Sequence, residues 1–187
     1  MQATPTISAG PPLVISGLSI PAGGNALIVY QARPNEFAPA GTNSLITNTA
    51  TITGATISTP VIASNTINAQ NIAELTISKS ISPSTVTENG QLTYTFVISN
   101  TGNTPAVATD NVTVTDTFNP ILSDITVTFN SAIWTEGTNY TYNEATGEFV
   151  TIPGQITVPA ATYIQDPETG LITVTPGTAT LTVTGTV

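Results

Sequence analysis

The chain alternates. Leu92-Thr-Tyr-Thr-Phe-Val-Ile98, Ile125-Thr-Val-Thr-Phe129, Ile172-Thr-Val-Thr175 and Leu181-Thr-Val-Thr184 put an apolar side chain at every second position, with threonine or, once, valine between. Leu75-Thr-Ile-Ser78 and Val112-Thr-Val-Thr115 repeat the pattern. Successive side chains of an extended strand point to opposite faces. A period of two therefore turns one face to a core and the other to water, the mark of antiparallel strands. Thr, Ile and Val are stiff at χ1 and suit strands rather than helices, and no segment carries a convincing amphipathic helical pattern. Turn signals separate the runs: Asn89-Gly90, Asn100-Thr-Gly102, Asn119-Pro120, Pro153-Gly154, Asp166-Pro-Glu-Thr-Gly170 and Pro176-Gly177. Glycine supplies positive φ, proline presets it, and Asn and Asp tolerate left-handed backbone. Many short strands at this spacing predict an all-β fold, a sandwich or a barrel.

Composition removes most catalytic chemistry. The chain of 187 residues has no Cys and no His, 11 Asp and Glu against 2 Lys and Arg, and a net charge of −9. Without Cys there is neither a disulfide framework nor a thiolate metal site. Without His the commonest general base and the commonest metal ligand are missing, so an enzyme in the turnover sense is not expected. Arg33 and Lys79 alone are too few to neutralise phosphates, which argues against nucleic acid and anionic lipid as partners. No run approaches the length of a membrane helix, and Met1-Gln-Ala-Thr-Pro5 lacks the basic and apolar regions of a signal peptide. Charged residues at 7 % and 40 % hydrophobic content fit a globular chain rather than a disordered one. No cofactor is implied.

Two units are expected, with a boundary near Asn71-Ile-Ala-Glu74. Of the 11 acidic residues only Glu36 precedes Glu74. Residues 73–187 read as most of a sandwich, whereas 1–72 are strand-poor and form a partial unit. Leu18-Ser-Ile-Pro-Ala-Gly-Gly-Asn-Ala-Leu-Ile-Val-Tyr30 and Ile172-Thr-Val-Thr-Pro-Gly-Thr-Ala-Thr-Leu-Thr-Val-Thr184 each read as strand, turn, strand. After the first come two more candidate strands, Ser44-Leu-Ile-Thr-Asn-Thr-Ala-Thr-Ile-Thr53 and Val61-Ile-Ala-Ser-Asn-Thr-Ile67; after the second the sequence ends. The expectation is that the second unit lacks closing strands and the first carries them.

A long segment, Leu75-Thr-Ile-Ser-Lys-Ser-Ile-Ser-Pro-Ser-Thr-Val-Thr-Glu-Asn-Gly-Gln-Leu-Thr-Tyr-Thr-Phe-Val-Ile-Ser-Asn-Thr-Gly-Asn103, is followed by Asn111-Val-Thr-Val-Thr-Asp-Thr-Phe118. The ordered set Ser-Lys-Ser, Leu-Thr-Tyr-Thr, Asn-Thr-Gly-Asn and Val-Thr-Asp-Thr resembles the immunoglobulin-like repeat of bacterial surface proteins catalogued as "domain of unknown function eleven". Asn48-Thr-Ala-Thr-Ile-Thr53 resembles the closing strand of that repeat. The resemblance implies an immunoglobulin-like antiparallel β-sandwich at an extracellular location, a bacterial cell surface or spore surface. Ser131–Thr169 is its least typical stretch.

Lys79, Asp116 and Asn48 are the residue types of the spontaneous isopeptide bond of Gram-positive surface domains, in which a lysine amine attacks an asparagine amide beside a proton-shuttling acid. Burial would favour the uncharged forms of Lys79 and Asp116. If Ile46, Asn48, Ala50 and Ile52, the more apolar row of their strand, insert into another copy, Asn48 comes from a neighbouring subunit. The plainer alternatives are an edge-guarding lysine, a turn-capping acid and an asparagine bonded to backbone. Asp110, Asp116 and Asp124, or Asp166 with Glu168, are oxygen donors suited to Ca²⁺, but no ordered loop motif joins them and solvated turns are favoured. Trp134, Tyr140 and Tyr142 suit either a sugar platform or, as favoured for a sandwich, the core.

Strand donation between copies is heterologous and builds open filaments unless it closes a ring. The expected function is a self-assembling subunit of an extracellular filament, its partners copies of itself; a surface glycan or wall anchor stays open as a further partner. The alternative is a segment of an adhesin or sugar-binding module within a longer repeat protein.

Overall fold

A computed structural model describes residues 4–10 and 12–187. The chain divides into two compact units, Met1–Pro34 and Asn35–Val187. The division falls well before the 72/73 boundary expected from composition, so the two strands expected near residues 44–67 lie with the larger unit.

In the smaller unit β1 (Thr6–Ser8) pairs antiparallel with β2 (Val14–Ser16), Ile7 opposite Ile15. The strand–turn–strand expected over Leu18–Tyr30 does not form. The turn is present, with Gly24 N–H donating to Pro21 O at 2.9 Å, but no strand lies on either side of it. An apolar run becomes a strand only where a neighbour accepts its backbone bonds, and Leu27 and Val29 stay 88 % and 81 % exposed.

The larger unit opens with a hairpin, β3 (Leu45–Ile52) and β4 (Val61–Asn68), both strands predicted from the sequence. Its register sets Ile46 opposite Ile67, Asn48 opposite Asn65, Ala50 opposite Ala63 and Ile52 opposite Val61. Directly opposed residues share a face, so the hairpin has one apolar face with an asparagine pair at its middle.

Two further sheets pack face to face. The wider has five antiparallel strands in the order β5 (Leu75–Ser82), β6 (Gln91–Asn100), β14 (Gly177–Thr186), β8 (Ser123–Phe129) and β9 (Ala132–Trp134). The narrower has three: β10 (Tyr140–Asn143), β11 (Glu148–Thr151) and β7 (Thr115–Thr117). A separate ribbon joins β12 (Thr162–Gln165) to β13 (Ile172–Thr175). The arrangement is all-β and consistent with a β-sandwich, and no helix among the described residues is long and apolar enough to cross a membrane.

The threonine alternation does what its period requires. On β6, Leu92, Tyr94, Phe96 and Ile98 are buried while Thr93, Thr95 and Val97 face outward; on β14, Leu181 and Val183 are buried between Thr180, Thr182 and Thr184. Across the core Tyr94 stacks on Phe118, ring centroids 4.7 Å apart, and Phe118 lies 5.5 Å from Phe149. Outside, the hydroxyls of Thr93 and Thr184 meet at 2.8 Å.

Pro176-Gly177 does not close a hairpin as its sequence suggests. The chain leaves β13 and enters β14 in a different sheet, between β6 and β8. Gly177 passes so near Pro159 that a Cβ would lie 2.0 Å from its carbonyl oxygen, which is why no side chain is tolerated there. Likewise, of the strand predicted at Val112–Thr115 only Thr115 lies in β7; Val114 beside it is held by Thr151 of β11, whose N–H donates to Val114 O at 3.0 Å and whose hydroxyl accepts from Val114 N–H at 2.8 Å.

Burial sorts the cost of substitution. Leu181→Ala, at a fully buried central position, is expected to lower unfolding free energy by about 2–5 kcal/mol. Ile77→Ser, on β5 at 54 % exposure, is expected to change it by less than about 0.5 kcal/mol. Guanidinium titration of the two variants checks the contrast.

Candidate functional site

β5 is an edge strand, hydrogen-bonded to β6 on one side and to no strand on the other among the described residues. Its register against β6 sets Leu75 opposite Asn100, Ile77 opposite Ile98, Lys79 opposite Phe96 and Ile81 opposite Tyr94. Since Phe96, Ile98 and Tyr94 face the core, Leu75, Ile77, Lys79 and Ile81 face the same way. Yet Ile77 is 54 % and Ile81 46 % exposed. The narrower sheet ends at β7 and does not reach over β5, so an inward-facing apolar row is left uncovered.

Lys79 reaches across this seam. Its ammonium forms an ion pair with Asp116 Oδ2 on β7, joining the facing edges of the two sheets. The same ammonium lies 4.5 Å from the Tyr94 ring centroid, 5.6 Å from that of Phe96 and 5.7 Å from that of Phe118, within range of cation–π attraction. Asp116 Oδ1 accepts from Thr117 N–H at 2.9 Å, while Oδ2 is buried with the lysine as its partner. The side chains are 39 % and 19 % exposed, so the burial expected to keep both uncharged is incomplete. The cause is geometric: among the described residues of the larger unit no strand lies over β5.

Open space runs along the seam. Beside the ion pair a cleft of about 340 Å³ is lined by Lys79, Ser80, Ile81, Tyr94, Thr117 and Asn119. Nearer the start of β5 a second, of about 520 Å³, lies against Ile72, Leu75, Ala106, Val107 and Val112.

The structure thus brings two of the three expected isopeptide residues together. Asn48 stands elsewhere in the chain, at the middle of β3, opposite Asn65. The hairpin it belongs to is exposed along nearly its whole length, with Leu45, Ile52, Val61, Ile62 and Ile67 each more than half exposed.

The other candidates resolve into local roles. Asp110 accepts from Val107 N–H at 2.8 Å, and Asp166 accepts from Glu168 and Thr169 N–H, each at 2.8 Å, bonds that hold its carboxyl below the usual range. Asp124 takes left-handed backbone on β8, and among the described residues no three acidic side chains converge as a metal site would need. Trp134 stacks on Phe129 at 4.9 Å, Tyr140 is buried against Phe149, and the Tyr142 hydroxyl donates to Leu122 O at 2.7 Å. These three aromatics pack on the core rather than forming an exposed platform.

The contribution of Tyr94 to the site left no local signal in the sequence. Its ring forms the floor beneath Lys79, and its hydroxyl donates to Asn119 O at 3.0 Å. Its place among buried alternating residues marked it as core, and it is both. A scan against protein-family models and searches of curated proteins and of solved structures find no match to this chain.

Burial, and after it the Asp116 carboxylate, raises the Tyr94 hydroxyl above its ordinary pKa; burial likewise raises Tyr142. A group with a raised folded pKa contributes its stability fully below the unfolded value and loses it as pH rises through the folded one. Stability is therefore expected to fall above about pH 10, where free tyrosine ionises. Tyrosinate absorbance during alkaline titration should rise together with loss of folded signal, and Tyr142→Phe should weaken that coupling.

Proposed function

We propose that this protein is a structural subunit with an immunoglobulin-like sandwich, and that it assembles into extracellular filaments, on a bacterial cell or spore surface, by accepting a hairpin strand from another copy along β5. The observation that carries the proposal is the inward row Leu75, Ile77, Lys79 and Ile81, in which Leu75 packs on the core while Ile77 and Ile81 stay exposed. Edge strands of natural sheets are usually shortened, charged or covered, because their free backbone groups recruit other chains. Here an eight-residue edge lies open beside a cleft, with a single charge on its inner row.

The donor is β3. Like β5 it has eight residues, and its apolar row is Ile46, Asn48, Ala50 and Ile52. Antiparallel addition with Asn48 opposite Lys79 also sets Ile46 opposite Ile81, Ala50 opposite Ile77 and Ile52 opposite Leu75. All four inward positions then meet a partner in one register. Backbone bonds supply affinity and the alternate side chains supply specificity. Donor and acceptor are different surfaces of one chain, so repeated addition propagates an open fibre.

Covering the seam would also remove water from Lys79 and Asp116, which supports covalent closure. Lys79 Nζ forms a bond to the Asn48 amide carbon, the carbon–nitrogen bond to Nδ2 breaks, and Asp116 carries a proton from the amine to the departing nitrogen, which leaves as ammonia. This is a single-turnover step that joins subunits. The alternative of a sugar-binding module gains no support from Trp134, Tyr140 and Tyr142, which pack on the core.

Negative-stain microscopy and light scattering of the purified chain should show filaments that grow with concentration and are abolished by Ile77→Lys. A chain that stays monodisperse at high concentration contradicts assembly. Intact mass tests the crosslink separately: one ammonia lost per bond, with ladders that survive SDS, both absent in Lys79→Ala.

A further inference from the structure

The sequence Asn100-Thr-Gly-Asn103 reads as a turn after β6, yet both of its asparagines are buried, Asn100 fully and Asn103 to 7 % exposure. A two-residue turn in water has no need of buried amides. Their bonds lead away from the turn. Asn100 Oδ1 accepts from Glu74 N–H and Gly102 N–H, each at 2.9 Å, and its Nδ2 donates to Thr104 O at 2.8 Å and to Pro159 O at 3.0 Å. Every donor and acceptor of that amide is used.

Asn103 reaches further. Its Oδ1 accepts from Ile72 N–H at 2.9 Å, its Nδ2 donates to Gln70 O and to Ala40 O, each at 3.0 Å, and its own carbonyl accepts from the Thr42 hydroxyl at 2.6 Å. Ala40 and Thr42 lie just before β3; Gln70 and Ile72 lie just after β4. One side chain therefore grips both feet of the hairpin. The feet also hold each other: Ala69 N–H donates to Ser44 O at 2.8 Å, and Asn43 and Asn71 exchange bonds at 3.1 and 3.2 Å.

Gly102 completes the grip by absence. A Cβ there would lie 2.1 Å from Ile72 O and 2.6 Å from Glu74 N, so the connector 72–74 lies directly on the bare backbone. Thr101 N–H donates to Glu74 O at 2.9 Å and Thr104 N–H to Ile72 O at 3.2 Å, continuing the pairing of β5 with β6 past the end of the strands.

We propose that Asn100-Thr-Gly-Asn103 is a joint that fixes the direction of the β3–β4 hairpin relative to the sandwich, with Asn103 the positioning residue. A two-stranded hairpin is marginal alone and, hinged on a free linker, would sample many directions at an ordering cost on binding. Clasped at both feet, it projects in one direction. Where the hairpin is the donor proposed above, the joint presents it preorganised and sets the angle between successive subunits. The joint itself belongs to the single chain and does not rest on assembly.

The test uses dilute, unassembled protein, so failure of filament growth leaves it intact. The chain has no Cys, so Ser58→Cys at the hairpin turn and Thr126→Cys on the exposed face of β8 carry two spin labels without background. Double electron–electron resonance should give one narrow distance distribution. Asn103→Ala should broaden it about twofold or more, through loss of bonds to both feet, while the thermal midpoint of the sandwich holds. Asn103→Asp keeps the acceptor for Ile72 but turns a carboxylate oxygen toward the Ala40 and Gln70 carbonyls, and should broaden it at least as much. Thr42→Val removes one bond from the outside and tests the joint even if the Asn103 variants fail to fold. A broad distribution in the parent, or a width unchanged in Asn103→Ala and Thr42→Val alike, overturns the joint.

Discussion

The three-stranded sheet is two strands narrower than the five-stranded one it packs against, and most of what is distinctive here follows from the edge this leaves at β5. With strands about 4.8 Å apart, the narrower sheet cannot cover the whole inner face of the wider. β6, β14 and β8 lie beneath it and bury Phe96, Leu181 and Val127; β5 overhangs, with Ile77 and Ile81 half in water. Lys79 spans the gap to Asp116, its ammonium over the Tyr94 ring. At 39 % exposure of the lysine side chain, screening keeps such a pair to at most about 1 kcal/mol. The seam is marked by this contact rather than closed by it.

Periodicity made much of the fold legible. Alternating threonine placed β6, β8 and β14, because each has one buried face and the side-chain period of a strand is two; the same alternation placed β13, although Val174 there stays exposed. The chain positions of β3 and β4 were legible from their β-branched runs, although neither strand buries a face. What periodicity lacks is the identity of the neighbour. Leu18–Tyr30 carries an apolar pattern as good as many, yet forms no strand because no strand pairs with it. β13 and β14 look like a hairpin and belong to different sheets, since the contact at Gly177 with Pro159 is made across residues distant in sequence.

The candidate site divides along the same line. Lys79 and Asp116 were legible as a pair because the chain is so poor in basic residues that a lone lysine stands out, and the structure joins them. The aromatic floor of Tyr94, Phe96 and Phe118 was hidden in what read as ordinary core. The asparagines of the Asn-Thr-Gly-Asn turn were hidden more deeply: turn chemistry accounts for their residue types, whereas their bonds reach Ala40, Gln70, Ile72 and Pro159. A role set by long-range acceptors leaves no local trace.

An apolar hairpin held at its feet and an apolar edge at β5 therefore sit on one chain, the donor and the acceptor of the assembly we propose. The most direct measurement is amide hydrogen exchange across β5 while a synthetic peptide spanning residues 43–70 is titrated into the protein. Strand addition predicts saturable protection at alternate amides between Leu75 and Ser82, those directed away from β6, with the amides bonded to β6 unchanged. Exchange along β5 that does not respond to the peptide at any concentration would contradict the account.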